Sequence, residues 1–326
     1  MVVTSDRENK APGSEDSPLA PFLEHQGILI LDGGLATELE ARGHDLDHDL
    51  WSARLLLDEP EAIYRVHRDY LEAGADCIVT SSYQATLPGL MGTGLTGEEA
   101  ETLLRASVLL ALKARDEFWS EPAHREGRLR PLVAASVGPY GAYLADGSEY
   151  TGDYDLDETG LEEFHRDRLE LLAASGADLL ACETIPSAVE ARVMTRLLEQ
   201  TVDARGWISF SCRDGSSLSD GSAFDEAAGR AAASPRVLAL GVNCTAPRHL
   251  DELLGRLQGR VAKPLVVYPN SGERYDAARR EWKPLSGTLD LAVAARRWVD
   301  QGARLVGGCC RTGPADVRRL REALVG

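Results

Sequence analysis

Eight short apolar, β-rich runs alternate with longer amphipathic segments along this chain, and that alternation constrains the fold more than any other feature. The runs are residues 27–31 (GILIL), 76–80 (DCIVT), 132–136 (LVAAS), 178–182 (DLLAC), 207–212 (WISFSC), 238–244 (LALGVNC), 264–269 (PLVVYP) and 304–308 (RLVGG). Helical patterns fill the gaps, as at 60–74, 161–176 and 289–302, each closing on a glycine suited to a helix C-terminus. The phrases AGAD (73–76), SGAD (175–178) and QGAR (301–304) recur as the helix-to-strand joint. Eight strands apolar on both faces, each followed by a helix, are what a closed parallel barrel requires. The expected fold is therefore α/β, a single (β/α)8 TIM-type barrel over residues 25–326, and 326 residues fall within the range of one such domain.

A barrel of this kind carries its active site at the C-terminal ends of the strands, so the segment after each run becomes a map of the chemistry. The first run is followed by DGGLATELE, with Asp32 and Gly33, and the second by TSSYQAT, with Ser81 and Ser82. The third leads into SVGPYGAYLADGSEYTGDY, the fourth into CETIP with Glu183, and the sixth into NCTAP with Asn243 and Cys244. The eighth ends in GGCCRTGP, with Cys309 and Cys310 side by side.

Composition removes several function classes. Thirty-five Lys and Arg against 52 Asp and Glu give a net charge of −17, with no dense basic cluster, so nucleic acid and anionic membranes are poor partners. No apolar run approaches the roughly 18 to 20 residues of a bilayer span, and the first 20 residues are polar rather than signal-like, so a cytoplasmic protein is expected. Residues 1–24 read as a disordered tail, rich in Ser, Asp, Glu, Pro and Gly. Six cysteines are too few for a secreted disulfide framework, which leaves free thiols or metal ligation.

Cys244 and the pair Cys309 and Cys310 end strands two apart in the barrel order and project over one mouth, a cup for a metal ion. Three thiolates fill three corners of a tetrahedron, and a catalytic zinc site leaves the fourth open. Neighbouring residues on a strand point opposite ways, so both cysteines reach one ion only where the backbone turns, and Gly307 and Gly308 are expected to supply that freedom. Cys77, Cys182 and Cys212 read as small buried hydrophobes. A redox-active disulfide at the vicinal pair is the alternative, though it closes a strained ring. The absence of an H-E-x-x-H pair, and of histidine from the strand-end cysteine clusters, disfavours hydrolysis. A thiolate-rich site suits the activation of a substrate thiol.

The segments DGGLATELE, SYQAT, SVGPYGAYLADGSEYTGDY, ETIP, FSCRDGSSLSDG, GVNCTAP, PLVVYPNSGERYD and VGGCCRTGP resemble those of the zinc-dependent homocysteine S-methyltransferases, the branch using S-methylmethionine or S-adenosylmethionine. A more distant likeness extends to betaine–homocysteine methyltransferase. The resemblance implies one zinc ion held by Cys244, Cys309 and Cys310, with homocysteine sulfur in the fourth position. It also implies that Asp32, beside Gly33, and Glu183 grip the homocysteine ammonium. The expected reaction is direct transfer of methyl from a sulfonium donor to the homocysteine thiolate, giving methionine.

Around that core, Ser81 and Ser82 are candidates for the substrate carboxylate, and Asn243 for orienting a metal ligand. Tyr83, Tyr143, Tyr150 and Tyr154 crowd two loops, where packing is the reading for most and a cationic donor the alternative. S-methylmethionine is favoured as donor because no G-x-G-x-x-G nucleotide fingerprint is present, and GTGLTG (92–97) follows no strand and reads as a flexible loop. Betaine or a selenocysteine-type acceptor on the same site, or a non-catalytic zinc-thiolate redox sensor, are the competing readings. A monomer or weak homodimer acting on small molecules is expected.

Overall fold

All eight apolar runs form parallel strands: β1 (Leu29–Ile30), β2 (Cys77–Val79), β3 (Leu132–Val137), β4 (Leu179–Ile185), β5 (Gly206–Phe210), β6 (Val237–Asn243), β7 (Leu265–Tyr268) and β8 (Ala303–Val306). The computed structural model describes residues 17–46, 51–272, 274–276, 281–283 and 290–326. Each strand pairs in parallel with its neighbour in chain order from β2 round to β8, and β8 pairs back to β1. A bridge between Leu31 and Cys77, with Asp32 N donating to Cys77 O (3.1 Å), joins β1 to β2 and completes the (β/α)8 barrel.

Strand alternation sorts the core into two layers. Leu29, Leu31, Cys77, Leu132, Ala134, Leu179, Ala181, Trp207, Ala239, Val266 and Leu305 fill the interior. The opposite faces, with Ile30, Ile78, Val133, Leu180, Ile208, Leu240 and Val267, meet the helices outside. Helices Pro60–Ala73, Glu158–Ala173 and Leu291–Asp300 stand where the periodicity placed them, although residue 289 lies outside the described residues. The first closes on Gly74 at φ 110°. The recurring joint has a physical role: Asp76 accepts from the amide of Ile30 (3.1 Å) and Asp178 from that of Val133 (2.8 Å), each binding the start of its own strand to the preceding one.

Three features depart from the sequence reading. Residues 17–24, assigned to the tail by composition, contain the start of a helix (Ala20–His25) whose Phe22 joins Leu19 in the inner core beneath the first residues of β1, β3 and β4. Two apolar anchors in a polar stretch were too sparse to register as a pattern; residues 1–16 lie outside the described residues. GTGLTG is a helix-to-helix joint rather than a flexible loop, ending Leu87–Gly92 and opening Gly97–Ser120 through a capping box of Thr96 and Glu99. Between β7 and the next helix, Arg274–Asp276 pairs antiparallel with Glu281–Lys283, two three-residue strands too short and polar to stand out in the sequence. Among the described residues no helix is long and apolar enough to cross a membrane.

Candidate active site

At the C-terminal ends of β6 and β8 the three cysteines converge. Cys244 Sγ lies 2.6 Å from Cys309 Sγ and 3.5 Å from Cys310 Sγ, and the vicinal pair are 4.0 Å apart. Sulfurs around a tetrahedral zinc, each about 2.3 Å from the ion, would sit roughly 3.8 Å from one another, so two separations match closely, while Cys244 and Cys309, at 2.6 Å, must part by about 1 Å to admit an ion. Cys244 takes the left-handed conformation (φ 46°) directly after β6, with its amide on Tyr268 O (3.2 Å).

The vicinal pair reaches one centre because it lies beyond β8, in a turn, where strand alternation no longer applies. Thr312 closes that turn onto Cys309 O, through its amide (3.2 Å) and its hydroxyl (2.6 Å), and Arg311 holds the left-handed position at φ 66°. Contrary to the expectation from sequence, Gly307 and Gly308 do not supply the freedom for a sharp turn: neither takes a positive φ, and both instead permit close approach. A Cβ on Gly307 would sit 2.6 Å from Leu31 Cβ, and one on Gly308 2.2 Å from Thr312 Oγ1. The same holds across the mouth, where a Cβ on Gly33 would lie 2.8 Å from Thr312 O and one on Gly34 2.7 Å from Cys309 O. Gly34 N donates to Thr312 O (3.0 Å), Gly308 N to Asp32 O (3.1 Å) and Arg311 N to Thr37 Oγ1 (2.7 Å), so the DGG and GGCC loops interlock.

Asp32 and Glu183, at the ends of β1 and β4, are buried carboxylates, 6% and 8% exposed, each close enough to feel the other's charge or that of Cys244. Among the described residues neither makes an ion pair. Asp32 accepts from Val79 N (2.7 Å), yet burial, helped by the charge of Glu183, holds its pKa well above the usual carboxylate range. Glu183 accepts from Ser136 Oγ and from Tyr268 Oη (3.0 Å), and burial outweighs both hydroxyls to push it up to about 7. Tyr268 is itself fixed by Trp207 Nε1 (3.0 Å) and Ser209 Oγ (2.6 Å), reaching across the barrel interior. Both carboxylates are thus disfavoured as anions by their surroundings, a condition that a nearby cation would relieve.

The softer candidates separate. Ser81 is buried with its hydroxyl unpartnered among the described residues, whereas Ser82 is committed to Ser136 O (2.7 Å) and Thr80 Oγ1 (2.7 Å). Asn243 binds no cysteine: its amide takes Thr184 N (2.7 Å) and gives to Thr184 Oγ1 (2.8 Å), holding Thr184 in the left-handed conformation (φ 61°) next to Glu183. Its side chain fixes the β4 end and not a cysteine. Tyr143 and Tyr154 pack with Tyr140 and Phe164, while Tyr150 brings its hydroxyl to 3.9 Å from Cys244 Sγ. Cys77, Cys182 and Cys212 are buried, with burial raising each thiol, that of Cys182 to about 12.

Residues that carried no signal in the sequence also line the mouth. Tyr268 and Ser136 sit in ordinary strand contexts, and only the strand-end rule points to Glu149 and Asn270, whose buried Oε2 and Oδ1 lack partners among the described residues. Buried polar atoms left unpaired are uncommon, and at the mouth of a barrel a ligand or water is one way to satisfy them. Glu273 of the NSGERYD segment lies outside the described residues.

Fold and site together define a class: a (β/α)8 barrel whose mouth holds a three-thiol cup, with all three sulfurs within 4.8 Å of one another, able to take a metal. Comparison with known proteins narrows it. The homocysteine S-methyltransferase family model matches residues 29–324. The chain is 48% identical over 309 residues to a homocysteine S-methyltransferase of Escherichia coli, covering 94% of this chain and 99% of that protein. It is 46% identical over 304 residues to homocysteine S-methyltransferase YbgG of Bacillus subtilis, covering 93% and 96%. The metallated form of the homocysteine methyltransferase MmuM from Escherichia coli superposes with a TM-score of 0.84 at 47% identity, over 94% of this chain and 99% of that one. The chain belongs to the homocysteine S-methyltransferase family.

Proposed function

We propose that this protein transfers a methyl group from a sulfonium donor, S-methylmethionine in preference to S-adenosylmethionine, to the sulfur of homocysteine, giving methionine. The observation that carries the reading is the juxtaposition of three thiols with two buried carboxylates that lack a cationic partner among the described residues. A soft, three-sulfur donor set fits a thiophilic divalent ion. Cys244, Cys309 and Cys310 would hold one zinc, whose chemistry here is to receive the homocysteine sulfur and lower its pKa toward neutrality.

The chain's own residues do the rest. Asp32 and Glu183 take the homocysteine ammonium, which restores both to the anionic form that burial opposes. Ser81 offers its open hydroxyl to the substrate carboxylate, and the backbone at Gly33 passes close enough to hold the DGG loop against the GGCC turn. Ser82 and Asn243 act through the loop positions they fix. Transfer is an in-line displacement: a homocysteine lone pair forms the new S–CH3 bond as the donor S–CH3 bond breaks. The bonding pair leaves with the donor sulfur as a neutral thioether, and the thiol proton has already passed to solvent. Alignment of the three centres in a site shielded from water is the catalytic contribution of the barrel. Every residue named belongs to one chain, so a monomer or weak dimer suffices, and a cytoplasmic setting keeps the thiols reduced.

The test pairs homocysteine in turn with S-methylmethionine, S-adenosylmethionine and betaine, using zinc-loaded and metal-stripped protein. Turnover is expected to be fastest with S-methylmethionine and lost on stripping. Undiminished transfer without metal, or betaine as the best donor, overturns the reading.

A further inference from the structure

Glu149 follows β3, in the single turn Ser148–Tyr150 at the barrel mouth. Its backbone is held from two sides: Ser211 Oγ donates to Glu149 O (3.1 Å), and a Cβ on Gly141 would lie 2.4 Å from Glu149 N. Such a tightly seated turn leaves the side chain few places to go. The carboxylate is buried at Oε2 with no hydrogen-bond partner among the described residues, and no ion pair there includes it. The next residue, Tyr150, touches Cys244 Sγ. The charge of Glu149 is felt by Tyr83, Tyr150 and Cys310, and burial pushes its own pKa to about 7, with Cys244 and Asp146 adding to the rise and the amides at Glu149 and Gly147 opposing it. A carboxylate oxygen, Oε2, buried without a partner is costly, and a cation beside it would relieve that cost.

Homocysteine brings one ammonium, and Asp32 with Glu183 already account for it. We infer that Glu149, next to Tyr150 in the turn that reaches Cys244, forms the anionic wall of the donor subsite and binds the positive charge of the methyl donor. This rests on the methyl-transfer reading above. A contact to charge present in the bound donor strengthens binding and does not accelerate transfer, because the sulfonium loses its charge as the methyl leaves.

The experiment is steady-state kinetics of zinc-loaded Glu149→Gln and Glu149→Asp, varying S-methylmethionine and homocysteine separately, with zinc content and Tm recorded. For Glu149→Gln the donor KM should rise about 10- to 100-fold, the loss of one charge-assisted contact, with kcat and the homocysteine KM within about threefold of the parent. Glu149→Asp, which keeps the charge, should recover part of the donor KM. A donor KM that stays within twofold in Glu149→Gln overturns the inference, as does a parallel rise in both KM values with loss of zinc, or an Asp variant as impaired as Gln. A parent protein inactive with every sulfonium donor instead sinks the function on which the inference rests, whatever Glu149 does.

Discussion

Glu183 shows at residue scale what a buried carboxylate costs the protein that carries it. Its carboxylate titrates near 7 in the folded chain, against 4.5 for an unperturbed glutamate. Between those values the folded state holds a proton that the unfolded state has lost, so stability falls as pH rises through the window, and the full cost is present above 7. Glu183→Gln removes the cost. At pH 8 its Tm should exceed that of the parent by a few degrees, corresponding to roughly 1–3 kcal/mol, while near pH 4.5 the two should converge. The same variant should raise the homocysteine KM about 10- to 100-fold. Calorimetric scans at the two pH values check the first part, and an equal Tm change at both would show that packing, not charge, is responsible. Asp32, Glu183 and the three cysteines could be picked out as candidates in the sequence because each stands at or just past the end of an apolar strand run, where a carboxylate or thiol breaks the pattern. Tyr268 was not, since its hydroxyl reaches Glu183 from a strand that reads as plain core.

At the scale of elements, the loops after β1 and β8 behave as one unit, and the metal cup depends on their contact. Gly34→Ala places a Cβ against the carbonyl of Cys309, a backbone atom that cannot move without displacing the ligand. Zinc affinity should fall about 10- to 100-fold, in the range found when groups supporting metal ligands are altered, with the far-UV spectrum of the barrel retained. Competition with a chromophoric chelator measures this, and unchanged affinity would show that the interlock does not hold the cup. The glycines were visible in the sequence, but their purpose was not: close approach between segments some 270 residues apart cannot be read locally, whereas a sharp turn can be guessed. Strand positions were legible to within about three residues because both faces of each strand are apolar. The antiparallel pair Arg274–Asp276 and Glu281–Lys283 was not, because its strands lack that pattern, and the helix Ala20–His25 was hidden by the polar stretch around two anchors.

Taken as a whole, the molecule is a closed barrel that gathers its chemistry by topology. Residues from positions 32 to 310 meet at one mouth because every strand runs the same way, so each loop that follows a strand opens on the same end. That rule made the site legible from one sequence, while side-chain partnerships such as Asn243 with Thr184 required coordinates. The central claim is that Cys244, Cys309 and Cys310 hold one zinc and leave a place for the substrate thiol. Zinc-edge X-ray absorption on the zinc-loaded protein, before and after homocysteine is added, tests it most directly. The account predicts three sulfur neighbours at about 2.3 Å and one lighter atom before addition, and four sulfurs after. A sulfur count below three, or one that does not change with saturating homocysteine, would contradict it.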